Sequence, residues 1–497
     1  MGRTVMTPVD YSDVQGLLRF GFGKMTAASY ALLRIRDPAA ARAWLRNTPI
    51  TSAVAMNPPP STALQVAFTA DGLTKLGAAN SVVAGFSSEF LTGMAQDSRA
   101  RRLGDTGTNA PENWEWGYED KTPHLVVMFF AEQGKLSSFV QSAKGAEWNS
   151  AFEEMHWLET ANLDGVEPFG FADGISQPQI DWERRRDVTA AQLEYNNIAT
   201  LGEFLLGYPN EYNKYSDRPL LDPDAKSADL FAAEDAPSKR DLGRNGTYLV
   251  MRQLRQDVRK FWQFVHERSN GDAAEADKLA AAFVGRTRAG DPLLPTQSAP
   301  IPGIDLKDAA KNQFTFAENR DGARCPFGAH VHRANPRNAD FEGRPTGIKK
   351  LITMLGFGPN GFRDDLMSPV RFHRILRRGR EYGPGLKPED ALTPPLPDEP
   401  ERGLHFICLN ANITRQFEFL QNAWMMNTQF SGMSGESDPL LGNREKIPGC
   451  PVVGDFTMPR SDGAPRRISD VPQFVTMRGG AYFFLPSLRA LRYFAAE

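Results

Sequence analysis

Asp173 stands between two glycines in the run Gly170-Phe171-Ala172-Asp173-Gly174-Ile175-Ser176-Gln177-Pro178. Glycine has no side chain, so the backbone there can lie close to a flat ligand or take a positive φ. Pro178 stops any regular element from continuing. A carboxylate held in such a turn is suited to moving protons. The same pattern also fits an Asx turn, in which Asp173 only bonds its own backbone.

A second chemical run is Cys325-Pro-Phe-Gly-Ala-His330-Val-His332-Arg-Ala-Asn-Pro-Arg337. A histidine that follows small residues can approach a planar macrocycle, and Arg333 and Arg337 are near enough to pair with acidic ligand groups. An ordinary loop histidine beside a helix start is the plainer alternative. In His373-Arg374-Ile-Leu-Arg377-Arg378-Gly379, strand alternation puts Ile375 and Arg377 on one face and Leu376 and Arg378 on the other. Arg377 is then inward and Arg378 outward, unless the segment is only a solvated basic edge. Other chemistries lack their residues. None of the seven histidines forms H-E-x-x-H, and no phosphate-binding G-x-x-x-x-G-K-[ST] or nucleophile G-x-S-x-G is present. Cys325, Cys408 and Cys450 form no C-x-x-C or C-x-x-C-H, which argues against structural zinc and covalently attached haem. Three scattered thiols fit a reducing compartment.

These residues need a scaffold, and 497 residues exceed one ordinary core, so two domains or three are expected. A net charge of −3 gives no basic field for nucleic acid or an anionic membrane. The runs Arg184-Arg186 and Arg374-Arg380 read as local solvated faces. Met1 to Gly21 shows no apolar secretory core, and the run Leu125-Ala131 is too short to span a bilayer, so a soluble cytoplasmic protein is expected.

Tyr30 and Tyr248, Arg34 and Arg252, and Trp44 and Trp262 are each 218 residues apart, which suggests an internal duplication. Strands are expected from Tyr30, over Ala63-Thr69, over His124-Ala131, from Tyr248, over Leu404-Asn410 and over Tyr482-Leu485. Helices are expected over Pro38-Leu45, Ala70-Leu76, Lys135-Ala143, Asp257-Val265 and Ile413-Met425. A β-α-β-β-α-β order per half implies an α+β class: two ferredoxin-like domains with antiparallel sheets and helices. The expected boundaries are 1–207 for the half carrying the Asp173 turn, 208–243 for a connecting loop, and 244–497 for the second half.

Together these segments resemble the dye-decolourising peroxidases. The resemblance rests on Gly170-Pro178, Cys325-His330, Asn335-Pro-Arg337, Arg374-Ile-Leu-Arg377-Arg378-Gly379 and Gly479-Gly-Ala-Tyr482-Phe-Phe-Leu-Pro486, in the family's order. The length and long loops are similar to the larger intracellular subclass. The resemblance implies one non-covalent haem b per chain, in the C-terminal half. It implies His330 as the proximal iron ligand, Asp173 and Arg377 as distal catalytic residues, and Arg337 on a propionate. Leu404 and Phe406 would lie over the distal face, Gly174 and Ile175 beside the haem, and Glu418 behind the other nitrogen of His330. The chain departs from the family by an insertion around Phe341-Pro369, and Arg371, Arg374 and Arg378 stand close to Arg377. The implied activity is oxidation of dyes and phenolic compounds by hydrogen peroxide through a ferryl intermediate. Tyr382 and Trp424 are candidates for relaying electrons from the surface, and a homo-oligomer is possible. A haem-binding protein without turnover would need the same histidine but not Asp173 with Arg377. A packaged cargo protein is disfavoured, because Arg489-Glu497 continues directly from the last strand without a separate tag.

Overall fold

A computed structural model describes residues 8–186, 195–298, 300–337, 370–444 and 454–496. The expected insertion around Phe341-Pro369 and Cys450 lie outside them. The first half supplies strands β1 (Ala27–Ile35), β2 (Thr62–Phe68), β3 (Leu125–Ala131) and β4 (Phe152–Glu159). The second supplies β5 (Thr247–Gln256), β6 (Leu376–Arg377), β7 (Arg380–Tyr382), β8 (Gly403–Asn410) and β9 (Val475–Leu485). Among the described residues these nine form one antiparallel sheet, in the order β6-β8-β5-β9-β2-β3-β1-β4, with β7 also on β8.

Each half, numbered by its own strands, reads 2-3-1-4, the ferredoxin-like order, with β6 and β7 together as the second strand of the C-terminal half. The pair Phe484 and Phe68 joins the halves. At the far ends, Ala161 N–H donates to Glu381 O at 2.8 Å and His405 Nε2 lies 3.0 Å from Glu159 O, so the outer strands approach each other.

Both faces of the sheet are buried, which is why β3 reads as the continuous apolar run LVVMFFA rather than an alternating one. Tyr30, Leu32, Met128, Phe130, Leu249 and Ile407 pack together on one face. Ala31, Leu33, Val127, Phe129 and Val250 face the other way, beneath helix α1 (Pro38–Asn47) with Trp44. Asp37 caps α1, with Pro38 at its first position. Helix α2 (Val258–Glu267) is the second half's counterpart, capped by Asp257, with Trp262 buried. The equivalence of α1 and α2 bears out the duplicated arrangement that the repeated Tyr, Arg and Trp suggested.

Arg184 and Arg186 are not a solvated run. They pair with Glu234 at 2.7 Å and Glu211 at 3.1 Å, largely buried, while Arg185 is exposed. The C-terminal helix α3 (Leu488–Ala495) is capped by Ser487 and packs its apolar side into the first-half core. No helix among the described residues is long and apolar enough to cross a membrane.

Candidate active site

The Asp173 segment is a hairpin. Asp173 N–H donates to Gly165 O at 3.0 Å and Glu167 N–H to Phe171 O at 2.8 Å. Gly170 at φ +92° turns its tip and Gly174 at φ +69° its exit, a backbone that side chains rarely adopt. The Asp173 carboxylate reaches Arg377, whose Nη1 lies 3.3 Å from Oδ1, with both side chains about a third exposed. The same run clamps Arg377 further: Ser176 O accepts from Nη2 at 3.1 Å and Gln177 Oε1 from the backbone N–H at 3.0 Å. The neighbouring arginines bond to other partners. Arg374 binds the carbonyls of Ile198 and Asn196, and Arg371 lies over Phe372. Arg378 does leave the Arg377 face, yet not for solvent: half-buried, it donates to the carbonyls of Leu17 and Leu18, and desolvation pushes its pKa down to about 10.

His330 opens a short helix, His330–Ala334. Its Nδ1 lies 3.0 Å from Asp438 Oδ2, leaving Nε2 for the cavity that it lines. Burial depresses the imidazole pKa, but the charge and hydrogen bond of Asp438 outweigh it, so the value stands above the ordinary one. Burial raises the Asp438 pKa, and His330, Arg333 and the Leu441 N–H together bring it below the ordinary value. His332 stacks on Phe316 at 3.7 Å, does not line the cavity, and is pushed by burial down to about 4. On a helix, positions two apart do not share a face, which separates His332 from His330.

One cavity of about 330 Å³ is lined by Asp173, Ile175, His330, Arg337, Arg377, Leu404 and Phe406. That size falls in the range of small-molecule and cofactor sites. Leu404 and Phe406 alternate with His405 on β8 and sit opposite Leu254 and Arg252 of β5. Gly174 shapes the turn but lines a neighbouring polar cleft with Asp305 and Asp308. Trp424 lines the main cavity; Tyr382 does not, stacking instead on His405 at 4.5 Å with its hydroxyl on Glu401.

Glu418 is a correction. It is fully buried but accepts from Arg99 at 2.8 Å, Arg102 at 3.1 Å and Tyr482 Oη at 2.9 Å, away from His330. Asp438 occupies the position expected of it.

The N-terminal region, residues 13–161, matches the family model described as the DyP dimeric alpha+beta barrel domain. The dye-decolorizing peroxidase msp1 of Mycetinis scorodonius is 28% identical over 507 residues, covering 97% of this chain and 87% of that protein. The multifunctional dye peroxidase DyP2 of Amycolatopsis sp. is also 28% identical, over 86% of this chain and 81% of its own length. The crystal structure of the fungal DyP-type peroxidase of Auricularia auricula-judae superposes with a TM-score of 0.71 at 24% identity, over 99% of this chain and 100% of the other. Residues 13–161 thus carry the DyP domain, and nearly the whole chain is similar to dye-decolourising peroxidases. The chain is a peroxidase-class oxidoreductase.

The cavity's charges fit a dye-decolourising peroxidase's haem. Arg337 is buried and donates to the carbonyls of Asn312 and Phe314 and, at 3.3 Å, to Ser176 Oγ. Arg286, also buried and lining the cavity, donates to the carbonyls of Gly290 and Lys311. Neither has a carboxylate at ion-pair distance among the described residues. Burial, with Arg337 and Arg377 nearby, pushes the Arg286 pKa down to about 10, and burial also lowers that of Arg337. Two buried cations without a counter-ion fit a ligand that brings carboxylates. Sequence reasoning missed Arg286, Asp438 and Glu167. Glu167 carries its signal in the run Glu167-Pro-Phe-Gly-Phe, six residues before Asp173; burial raises its pKa to about 7, with the Asp173 charge adding.

Proposed function

We propose that the chain is a haem b peroxidase that uses hydrogen peroxide to oxidise dyes and phenolic compounds. The single observation that carries this is the meeting of Asp173–Arg377 and His330–Asp438 on one cavity. Haem, when bound, supplies the redox-active iron. His330 Nε2 is the nitrogen free to ligate it, and Asp438 fixes the ring's orientation and tautomer through Nδ1. Arg337 and Arg286 would hold propionates.

Asp173 takes the proton from one oxygen of hydrogen peroxide and returns it to the other, the transfer that heterolysis of the O–O bond requires. Arg377 places a fixed positive charge where the departing oxygen becomes negative. Leu404 and Phe406 form an apolar wall that leaves little room for a bulky dye. Oxidation of such dyes by electron transfer from the surface fits this, with cavity-lining Trp424 a better relay candidate than Tyr382. Phenolic donors are supported by a solved dye-decolorizing peroxidase in complex with 2,6-dimethoxyphenol, 23% identical with a TM-score of 0.70 over 98% of this chain and 100% of the other.

The test is optical. Haem-reconstituted protein should show a Soret band that shifts on adding stoichiometric peroxide and returns when 2,6-dimethoxyphenol is added. A band indifferent to peroxide would leave a haem-binding protein without turnover.

A further inference from the structure

Glu167 is a half-buried carboxyl that lines the cavity and has no part in the proposed peroxide chemistry. It lies on one arm of the hairpin whose other arm ends at Asp173. Its side chain closes the tip: Oε2 accepts from Phe169 N–H and Oε1 from Phe171 N–H, both at 3.0 Å. Gln256, on β5 in the other half of the chain, donates from Nε2 to Oε2 at 2.7 Å. Two further bonds tie the same hairpin to the second half, Trp262 Nε1 to Phe169 O and Ala172 N–H to Arg288 O, each 3.0 Å.

We propose that Glu167 is a positioning residue, whose carboxyl pins the hairpin to β5 and so sets where Asp173 stands relative to Arg377. The proposal rests on the reading of Asp173 as the proton-transfer group. A buried carboxyl is costly unless its oxygens are bonded. Here three donors meet it, two of them backbone N–H groups within six residues of Asp173. Arg377 comes from β6, so the distance between the two distal residues depends on how the hairpin is seated on the second half. Displacement of a reacting group by about 1 Å costs on the order of a hundredfold in rate, which gives such a clamp functional weight. Glu167→Gln keeps the shape but presents an amide donor to at least one N–H, so a donor–donor clash replaces a bond.

The experiment compares Glu167→Gln, Asp173→Asn and the double variant in the full-length haem-loaded protein. The readouts are the rate of the peroxide-induced Soret change across pH and the hydrogen exchange of the Phe169 and Phe171 amides in haem-free protein. Glu167→Gln should load haem, exchange these amides about tenfold faster, and react at least about tenfold slower. The loss should be greatest at acidic pH, as for Asp173→Asn, and the double variant should be no slower than Asp173→Asn. Native rates in Glu167→Gln, or losses that multiply in the double variant, overturn the proposal. Native rates in Asp173→Asn instead overturn the reading of Asp173, and the proposal with it. If Glu167→Gln does not accumulate, Gln256→Leu decides: a smaller loss with the same acidic profile supports the clamp, and a native profile overturns it.

Discussion

His330 and His332 differ by two positions and by everything that matters to a metal. His330 has one nitrogen on Asp438 and the other toward the cavity, whereas His332 is stacked on Phe316 with Nδ1 3.3 Å from Pro326 O. His330→Ala should therefore lose most of its haem, and His332→Ala should keep it; haem-to-protein absorbance ratios decide, and the opposite order would reassign the ligand. Asp173, His330 and Arg377 were legible because each sits in a short run with its own chemistry. Asp438 was not, because it meets His330 across 108 residues and its local sequence announces nothing. Glu167 yields a pH prediction. Burial lifts its pKa from 4.5 to about 7, so the folded state binds its proton more tightly than the unfolded chain. Its contribution to stability is greatest below pH about 4.5 and declines as pH rises through about 7, by an amount on the order of 3 kcal/mol at most. Denaturant unfolding of the haem-free protein at pH 5 and 8 should show the native chain losing ground to Glu167→Gln at the higher pH.

At the scale of elements, strongly apolar strands and capped helices were readable. The helix Ala70–Leu76 occurs where its pattern put it, with Thr69 as cap and Gly77 beyond its end. The strand Phe152–Glu159 was not foreseen: it is an edge strand in which polar Glu153, Glu154 and His156 interrupt the apolar pattern on both faces. β9 begins at Val475, not near Tyr482, because Gly479 and Gly480 look like breakers. A Cβ on Gly479 would sit 2.5 Å from Trp116 Nε1, so glycine there permits close packing within a strand. The segment expected as a helix over Ile413-Met425 is wound as π-helical turns, Thr414–Glu418 and Leu420–Met426. The hairpin offers a direct test. Gly170 has φ +92° and an added Cβ would meet only Arg288 Nε at 3.9 Å, so Gly170→Ala isolates backbone strain. It should cost about 1–2 kcal/mol in denaturant unfolding. Gly23→Ala, with nothing within 4 Å and no positive φ, should stay within about 0.5 kcal/mol of native.

For the whole molecule, the duplication explains how distant residues meet. Both halves build the same 2-3-1-4 sheet, and the hairpin of the first lies against β5 and α2 of the second. The spacing of Tyr, Arg and Trp revealed the repeat, but no local pattern reveals that Phe68 and Phe484 join the halves into one sheet. Arg286 and Arg337 are buried without a carboxylate at ion-pair distance among the described residues, which leaves the haem-free chain electrostatically incomplete. Haem should therefore stabilise it, by about 4 kcal/mol at a thousandfold excess over Kd, seen as a concentration-dependent rise in Tm. Arg337→Met should narrow that rise, and equal Tm values with and without haem would contradict the assignment of the cavity.

Peroxide activation on this site needs Arg377 and Asp173 acting together beside His330. The most direct measurement is the stopped-flow rate of the peroxide-induced Soret change in haem-loaded Arg377→Leu. The expected result is a native haem content with a rate lower by at least about 10²–10³-fold. A rate near native, with haem intact, would contradict the account and turn attention to Arg374, the other arginine of that segment lining the cavity.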